Sequence, residues 1–246
     1  MGKFGFLCST LFGKLGRCCA GAVRARQYSA WPQTQLTEPL RRSLRLMILF
    51  LDLAPSREVP LEAPPPLLLY TDASDVPERS PRWVVGAALW DPTSDELLYS
   101  ATEVPPSLVT SWLPRQNYMG QLELLAGPCA LSTWPDRLRD RPSFLFVDND
   151  SAASNLVKGY SPQVDSAAIV GEFWLRASAL RANIYVERVE SKSNLSDGPS
   201  RLEFDLLVSM GGTWTKPSLE GLTRPTDPSQ WFGAPHRGER EETQAP

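Results

Sequence analysis

The chain has 246 residues, 42% of them hydrophobic and 22% charged, with a formal net charge of −3. That length and composition suit one large domain, or one domain with extensions, around a substantial core. The charge balance excludes a generally basic nucleic-acid binder, so any such binding has to come from local patches.

Residues 1–30 mix apolar and basic side chains and are expected to be helical in part. The first 37 residues hold Lys3, Lys14, Arg17, Arg24 and Arg26 against no acid, a surplus that resembles an organelle presequence. LTEPLRRSLRLMILFLDL (36–53) predicts a helix, since Leu44, Leu46, Met47, Phe50 and Leu51 recur at three-to-four spacing. APSREVPLEAPPP then reads as an extended linker, its prolines excluding a helix. LLLYTD (67–72) is a continuous apolar run, expected as a buried strand. RWVVGAALW (82–90) predicts a second strand, with Gly86 marking a bulge or a close backbone approach. LLYSATEVP (97–105) predicts a third, and short connections make the three an antiparallel meander. NYMGQLELLA (117–126) predicts a helix that Pro128 ends or kinks. SFLFVD (143–148) reads as a buried strand, and SAASNLVKG (151–159) as a short helix closed by Gly159. VDSAAIVGEFWLRASALRA (164–182) predicts a longer helix with Ile169, Phe173, Leu175 and Leu180 towards the core. NIYVERVE (183–190) predicts a fifth strand, and SNLSDGPSR (193–201) a short helix or turn. Beyond about residue 212 the Pro-, Gly- and charge-rich composition predicts disorder. A meander followed by strand–helix units gives a mixed α/β sheet with helices on its faces.

The cysteines are Cys8, Cys18, Cys19 and Cys129. Three cluster near the N-terminus without a CxxC pair, which favours reduced thiols in an intracellular protein. The single histidine, His236, falls in the C-terminal stretch expected to be disordered. A Ser-His-Asp triad or a His-rich zinc site then has no histidine in the core, and chemistry there runs on carboxylates, hydroxyls or thiols. No run of about 18 apolar residues occurs, so no membrane span is expected.

Four acids stand at special places in this plan. Asp72 ends the first strand, Glu123 lies on the first helix after the meander, Asp148 ends the fourth strand, and Asp197 opens the last element. If strands one and four are parallel neighbours, their carboxyl ends meet, and sites form at such ends. Carboxylates gathered there repel one another unless a cation neutralises them. Oxygen-rich sites suit Mg²⁺, and two such ions clamp the attacking and leaving oxygens of a phosphodiester, chemistry that needs no histidine. Singly, Glu123 also reads as a solvated helix residue and Asp197 as a helix cap or Asx turn.

YTDAS, VVGAALW, QLELLA, FVDNDSAASNLVKGYS and VESKSNLSDGPSR together resemble the ribonuclease H domain of retroelement polyproteins. The similarity is to the reverse-transcriptase-linked form of tyrosine-recombinase retrotransposons and covers residues 67–201. It implies a ribonuclease H-like fold with a five-stranded mixed sheet and an Asp72–Glu123–Asp148–Asp197 metal site. It also implies two Mg²⁺ ions, with Mn²⁺ possible: Asp72 would bridge the two, Glu123 and Asp148 would complete one shell, and Asp197 the other. The implied substrate is an RNA–DNA hybrid, and an implied partner is a reverse transcriptase. Phosphate contacts are expected from Lys158, Lys192, Arg201 and the basic N-terminus. Asn149 and Asn194 are expected near the site, with turn formation the alternative for both.

The segment before the domain resembles the thumb or connection of those polyproteins, a rival to the presequence. The expected organisation is therefore 1–60 helical and basic, 61–66 linker, 67–211 domain and 212–246 disordered tail. No Tyr-x-Asp-Asp occurs, so DNA synthesis is not predicted. The chain lacks the histidine that cellular ribonucleases H carry before the last acid, as the retroelement form often does, and it departs from the family in Pro128 and in Ser196 where alanine is common. A cytoplasmic or nuclear location is expected, with mitochondria the alternative suggested by the basic N-terminus. The rival functions are an inactive relic that binds nucleic acid or a protein partner, and a DNA-acting nuclease of the same fold.

Overall fold

The structure is a computed structural model, and it describes residues 13–28, 35–53, 62–78, 80 and 82–219. The expectations for 1–12, for most of the linker and for 220–246 lie outside these residues.

The sheet has six strands: β1 (Leu67–Asp75), β2 (Trp83–Asp91), β3 (Glu96–Glu103), β4 (Pro142–Val147), β5 (Asn183–Arg188) and β6 (Thr213–Trp214), in spatial order β5-β4-β1-β2-β3-β6. β1 pairs antiparallel with β2, and β2 with β3, as the short connections require. β1–β4, β4–β5 and β3–β6 are parallel. The first five strands form the mixed sheet expected from the sequence, and the sixth is an addition at its edge.

β1 lies at the centre and is covered on both faces, which is why its sequence is an unbroken apolar run. Alternate residues point to opposite faces. Leu67, Leu69, Val85, Ala87, Leu145 and Val147 join the main core beneath two long helices, α4 (Met119–Thr133) and α7 (Val164–Ala179). Ala88, Leu97 and Tyr99 face the other way and pack with Leu207 of the short helix α9 (Asp205–Ser209). All four core positions expected in the second long helix are buried, and so are Trp112, Trp134 and Trp174.

The described residues before the sheet add α1 (Leu15–Gln27) and α2 (Glu38–Leu53), which pack on each other; α1 also lies against α7. Two single-turn helices, α3 (Pro106–Val109) and α5 (Pro135–Leu138), flank α4. The remaining helices are α6 (Asp150–Lys158), closed by Gly159 at φ 73°, and α8 (Asp197–Ser200). No helix among the described residues is long and apolar enough to cross a membrane.

Two expectations are corrected here. Pro128 does not end α4, which runs on to Thr133. Stopping at the proline would expose Cys129, Ala130 and Leu131, all in the main core. Burial of a leucine alone contributes roughly 1.5–3 kcal/mol, against about 3 kcal/mol for an interior proline. Ser132 Oγ and Thr133 Oγ1 also donate to the carbonyls of Pro128 and Cys129, at 2.7 and 2.9 Å. The second correction is β6, in a stretch whose composition predicts disorder. Trp214 lies 5.6 Å from Tyr99 and 5.4 Å from Phe204, ring to ring, and Thr215 N donates to Tyr99 O at 2.8 Å. One aromatic cluster and one edge ladder outweigh the local composition.

Gly86 is a close approach rather than a bulge. It pairs with Asp72 in unbroken register. A Cβ at this position would lie 2.3 Å from Ser200 N and 2.7 Å from Pro199 C, so glycine is what lets α8 sit on the sheet beside Asp72. Backbone atoms cannot yield as a flexible side chain can. Gly86→Ala is therefore expected to destabilise the protein by about 1–3 kcal/mol, the range of core overpacking, read from the midpoint of a urea titration.

Candidate active site

The site forms where β1 and β4 end side by side. Asp72 lies near the end of β1, and Asp148 follows Val147, the last residue of β4. Glu123 lies one turn into α4, on a stretch buried continuously from Gln121 to Leu131. One carboxylate oxygen from each of Asp72, Glu123 and Asp148 lies within 4.8 Å of the other two. Asp72 and Glu123 are each only 4% exposed, and Glu123 Oε2 is buried without a hydrogen-bond partner.

Burial and mutual repulsion set the protonation of this corner. Desolvation, then the charges of Asp72 and Asp148, push the Glu123 carboxyl up to about 9 from its ordinary 4.5. Desolvation also raises Asp72, to about 7 from 3.8; a hydrogen bond from Ser200 opposes the rise, while Asp148 and Asp197 add to it. Three carboxyl groups with one orphaned oxygen form a donor set that fits a hard divalent cation. The structure shows this fit through the orphan Glu123 oxygen and the absence of an ion pair to Asp72, Glu123 or Asp148 among the described residues.

Asp197, the fourth expected acid, opens α8 but stands outside this group of three. Its Oδ1 accepts from Arg201 Nε at 3.0 Å and Nη2 at 2.8 Å. Arg201, expected as a phosphate contact, is thus engaged with an acid of the site. Asn149 Oδ1 accepts from Ala152 N at 3.0 Å and caps α6, the turn-forming alternative, at the edge of the site. Lys158 is exposed at the far end of α6, and Lys192 is exposed on a 3-10 turn (Ser191–Ser193) after β5.

Asn194, like Asn149, takes the turn-forming alternative. Rather than offering its side chain to a ligand, it is buried: Nδ2 donates to Thr71 O at 3.1 Å, and Oδ1 accepts from Ser196 N at 3.2 Å and Ser196 Oγ at 2.6 Å. Its amide fastens the segment carrying Asp197 to β1.

Ser200 is not singled out by sequence reasoning. Fully buried, its hydroxyl donates to Asp72 Oδ2 and lies 2.9 Å from Asp197 O, while its own carbonyl accepts from Ser74 Oγ at 2.6 Å. A hydroxyl has one proton and two lone pairs, so Ser200 donates to Asp72 when that group is ionised and can turn to Asp197 O when it is protonated. The available signal is its place three residues after Asp197, one helical turn on, which brings it back over the same strand.

No family model matches the chain, and no curated protein matches it. Among solved structures, it is similar to the N-terminal RNase H domain of Rv2228c from Mycobacterium tuberculosis, solved as a fusion with maltose-binding protein. The identity is 14% and the TM-score 0.35, over 59% of this chain and 95% of that one. It is also similar to the prototype foamy virus protease–reverse transcriptase, at 12% identity and a TM-score of 0.36, over 76% of this chain and 29% of that one. This chain therefore spans less than a third of the viral protein's length.

Two outcomes are expected from the site's electrostatics. A carboxyl with a pKa higher in the folded than in the unfolded state binds more protons when folded. Its stabilising contribution is full below the unfolded value and is lost as pH rises through the folded one. With Asp72 at about 7 and Glu123 at about 9, the melting temperature in chelator should fall as pH rises from 5 to 9. Mg²⁺ or Mn²⁺ should reverse the fall, and Glu123→Gln should flatten it, as followed by differential scanning calorimetry. Ser200→Ala, which takes the donor from Asp72, should destabilise the protein by about 1–3 kcal/mol, measured by denaturant titration at pH 8.

Proposed function

We propose that the chain is a metal-dependent nuclease of ribonuclease H type that hydrolyses the RNA strand of RNA–DNA hybrids. The observation that carries this reading is the group of buried Asp72 and Glu123 with half-buried Asp148, with oxygens within 4.8 Å and no cationic side chain paired with them among the described residues. The motif order over residues 67–201 supports the retroelement form, with 67–211 as the nuclease module. Residues 1–60 are assigned as a segment resembling a thumb or connection, and a reverse transcriptase as the partner.

Asp72, Glu123 and Asp148 would hold Mg²⁺, with Mn²⁺ the alternative. Bound there, the ion supplies Lewis-acid activation of water and charge stabilisation at phosphorus. Asp72 is held at one oxygen by Ser200, which leaves its other oxygen for ligation. Glu123 brings a carboxylate with no competing hydrogen bond at Oε2. Asp197 sits beside this group, its charge shared with Arg201, and is the residue available to a second ion. In the reaction a water oxygen bonds to phosphorus and the bond to the ribose 3′ oxygen breaks, leaving a 3′-hydroxyl and a 5′-phosphate. Choice of the RNA strand rests on the ribose 2′-hydroxyl, the group that separates RNA from DNA. Lys192, which is exposed, would meet backbone phosphates.

The purified chain should cleave a labelled RNA–DNA hybrid in Mg²⁺ and leave duplex DNA intact. Asp148→Asn should lower the rate by about 100-fold or more, since losing even an outer-shell partner of a metal ligand costs 10–100-fold. Absence of hybrid cleavage by the intact protein would overturn the proposal. Cleavage of duplex DNA would replace it with a DNA-acting nuclease, and binding without cleavage with an inactive nucleic-acid-binding module.

A further inference from the structure

Helix α6 leaves the carboxylate corner two residues after Asp148 and runs for nine residues, about 13 Å at 1.5 Å per residue. Its polar side is made of Ser151, Ser154, Asn155 and Lys158, at the three-to-four spacing of one helix face, and none of the four is buried. At its far end α1 arrives from the N-terminal segment. A Cβ on Gly159 would lie 2.5 Å from Lys14 Cβ, and Arg17 Nη1 lies 3.5 Å from Lys158 O. Lys14, Arg17 and Lys158, from segments more than 140 residues apart in sequence, are thus gathered at one place.

These three cations differ from many others on the protein. Arg82, Arg115, Arg141 and Arg188 pair with Asp75, Asp165, Asp91 and Asp150. No carboxylate pairs with Lys14, Arg17 or Lys158 among the described residues. Like charges brought together without a counter-charge are a cost unless an anion meets them. Between them and the site the exposed side of α6 carries the hydroxyl and amide groups of Ser151, Ser154 and Asn155, neutral groups of the kind that contact phosphate and sugar oxygens, with Val157 the exposed apolar side chain beside them. Asp150, the one acid at the start of this path, is paired with Arg188.

We infer that the exposed face of α6, together with Lys14 and Arg17 of the N-terminal segment, is a track for a nucleic-acid backbone leading from the carboxylates to a phosphate-binding cluster. The inference rests on the nuclease reading and specifies how that site engages its substrate. At about 3.4 Å per nucleotide of one strand, a track of this length places the cluster about four nucleotides from the cut. The N-terminal helix is then part of the substrate-binding surface and not merely a tether.

The test measures equilibrium binding of a fluorescent RNA–DNA hybrid by the full chain carrying Asp148→Asn, as a function of salt. Arg17→Gln, Lys158→Gln and the combined Lys14→Gln, Arg17→Gln, Lys158→Gln protein are compared in the same background. Removal of each cation that meets a phosphate should lower the slope of log affinity against log salt by about 0.9. The combined change is expected to lower the slope by about 2 to 3 and to weaken binding by about 30-fold or more at roughly 0.1 M salt. If Arg17 and Lys158 serve only to cap the C-terminal end of α6, their variants lower the melting temperature and leave the slope unchanged, which overturns the inference. Weakened binding to vesicles of anionic lipid, with hybrid binding untouched, overturns it as well. Hybrid cleavage by the unmodified chain is scored separately. Cleavage with an unchanged slope sinks the track alone, and a changed slope without cleavage sinks the nuclease reading alone.

Discussion

Bringing three carboxylates within 4.8 Å of one another, in a corner where two of them are almost fully buried, is work that the rest of the fold has to do. Asp72 and Glu123 each lose water and gain like-charged neighbours, and both effects oppose their ionisation. Left to relax, the side chains would swing apart. They are fixed because each is attached to an element that cannot move: a central strand paired on both sides, a helix buried along most of its length, and the end of a parallel strand. The raised values of Glu123 and Asp72 measure how far the fold works against its own stability at this place. Such opposition is characteristic of sites built for a ligand of opposite charge.

The clamp on Asp72 shows how local rules serve that constraint. Glycine at position 86 removes a side chain, α8 settles onto β2, and the buried hydroxyl of Ser200 reaches the carboxylate. Asn194 ties the preceding loop to Thr71. An isolated four-residue helix has no stability of its own. Tertiary contacts and these buried hydrogen bonds therefore hold α8 and keep Asp197 beside the site.

Much of this arrangement is legible in the sequence because the residues that fix it have no freedom to be anything else. LLLYTD has to be a covered central strand, and a carboxylate at its end has to be a turn former or part of a group. The order of the other acids along strand, helix and strand end decides between those two. Gly86 announces a close approach without naming what approaches. What escapes the sequence depends on neighbours distant along the chain. Pro128 has the local signature of a helix end, yet the core on both sides carries the helix through. Thr213 and Trp214 lie in a stretch of disorder-like composition and are ordered by Tyr99 and Phe204. Asn194 reads as a turn former in the sequence, and its bond to Thr71 O, which makes it a buried strut, is not legible there. Ser200 is one serine among many until Asp72 lies beneath it.

α6 joins the two charged regions of the molecule and is oriented to favour both. Its N-terminal end, with unpaired backbone N–H groups and the positive pole of the helix dipole, opens directly after Asp148. Its C-terminal end, the negative pole, lies where Lys158 and Arg17 gather, and Arg17 reaches an orphan carbonyl there. Reversing the helix would put the positive pole against the cations and the negative pole against Asp148, a penalty at both ends. The dipole offsets only part of the repulsion within each cluster. On the proposed reading the remainder would fall to a divalent cation at the N-terminal end and to the phosphates of a bound strand at the C-terminal end. A hybrid lying along α6 would supply the counter-charge for the cations at its C-terminal end, about four nucleotides from the cut, while a cation held by the carboxylates would offset their repulsion and the charge of the phosphate brought to them.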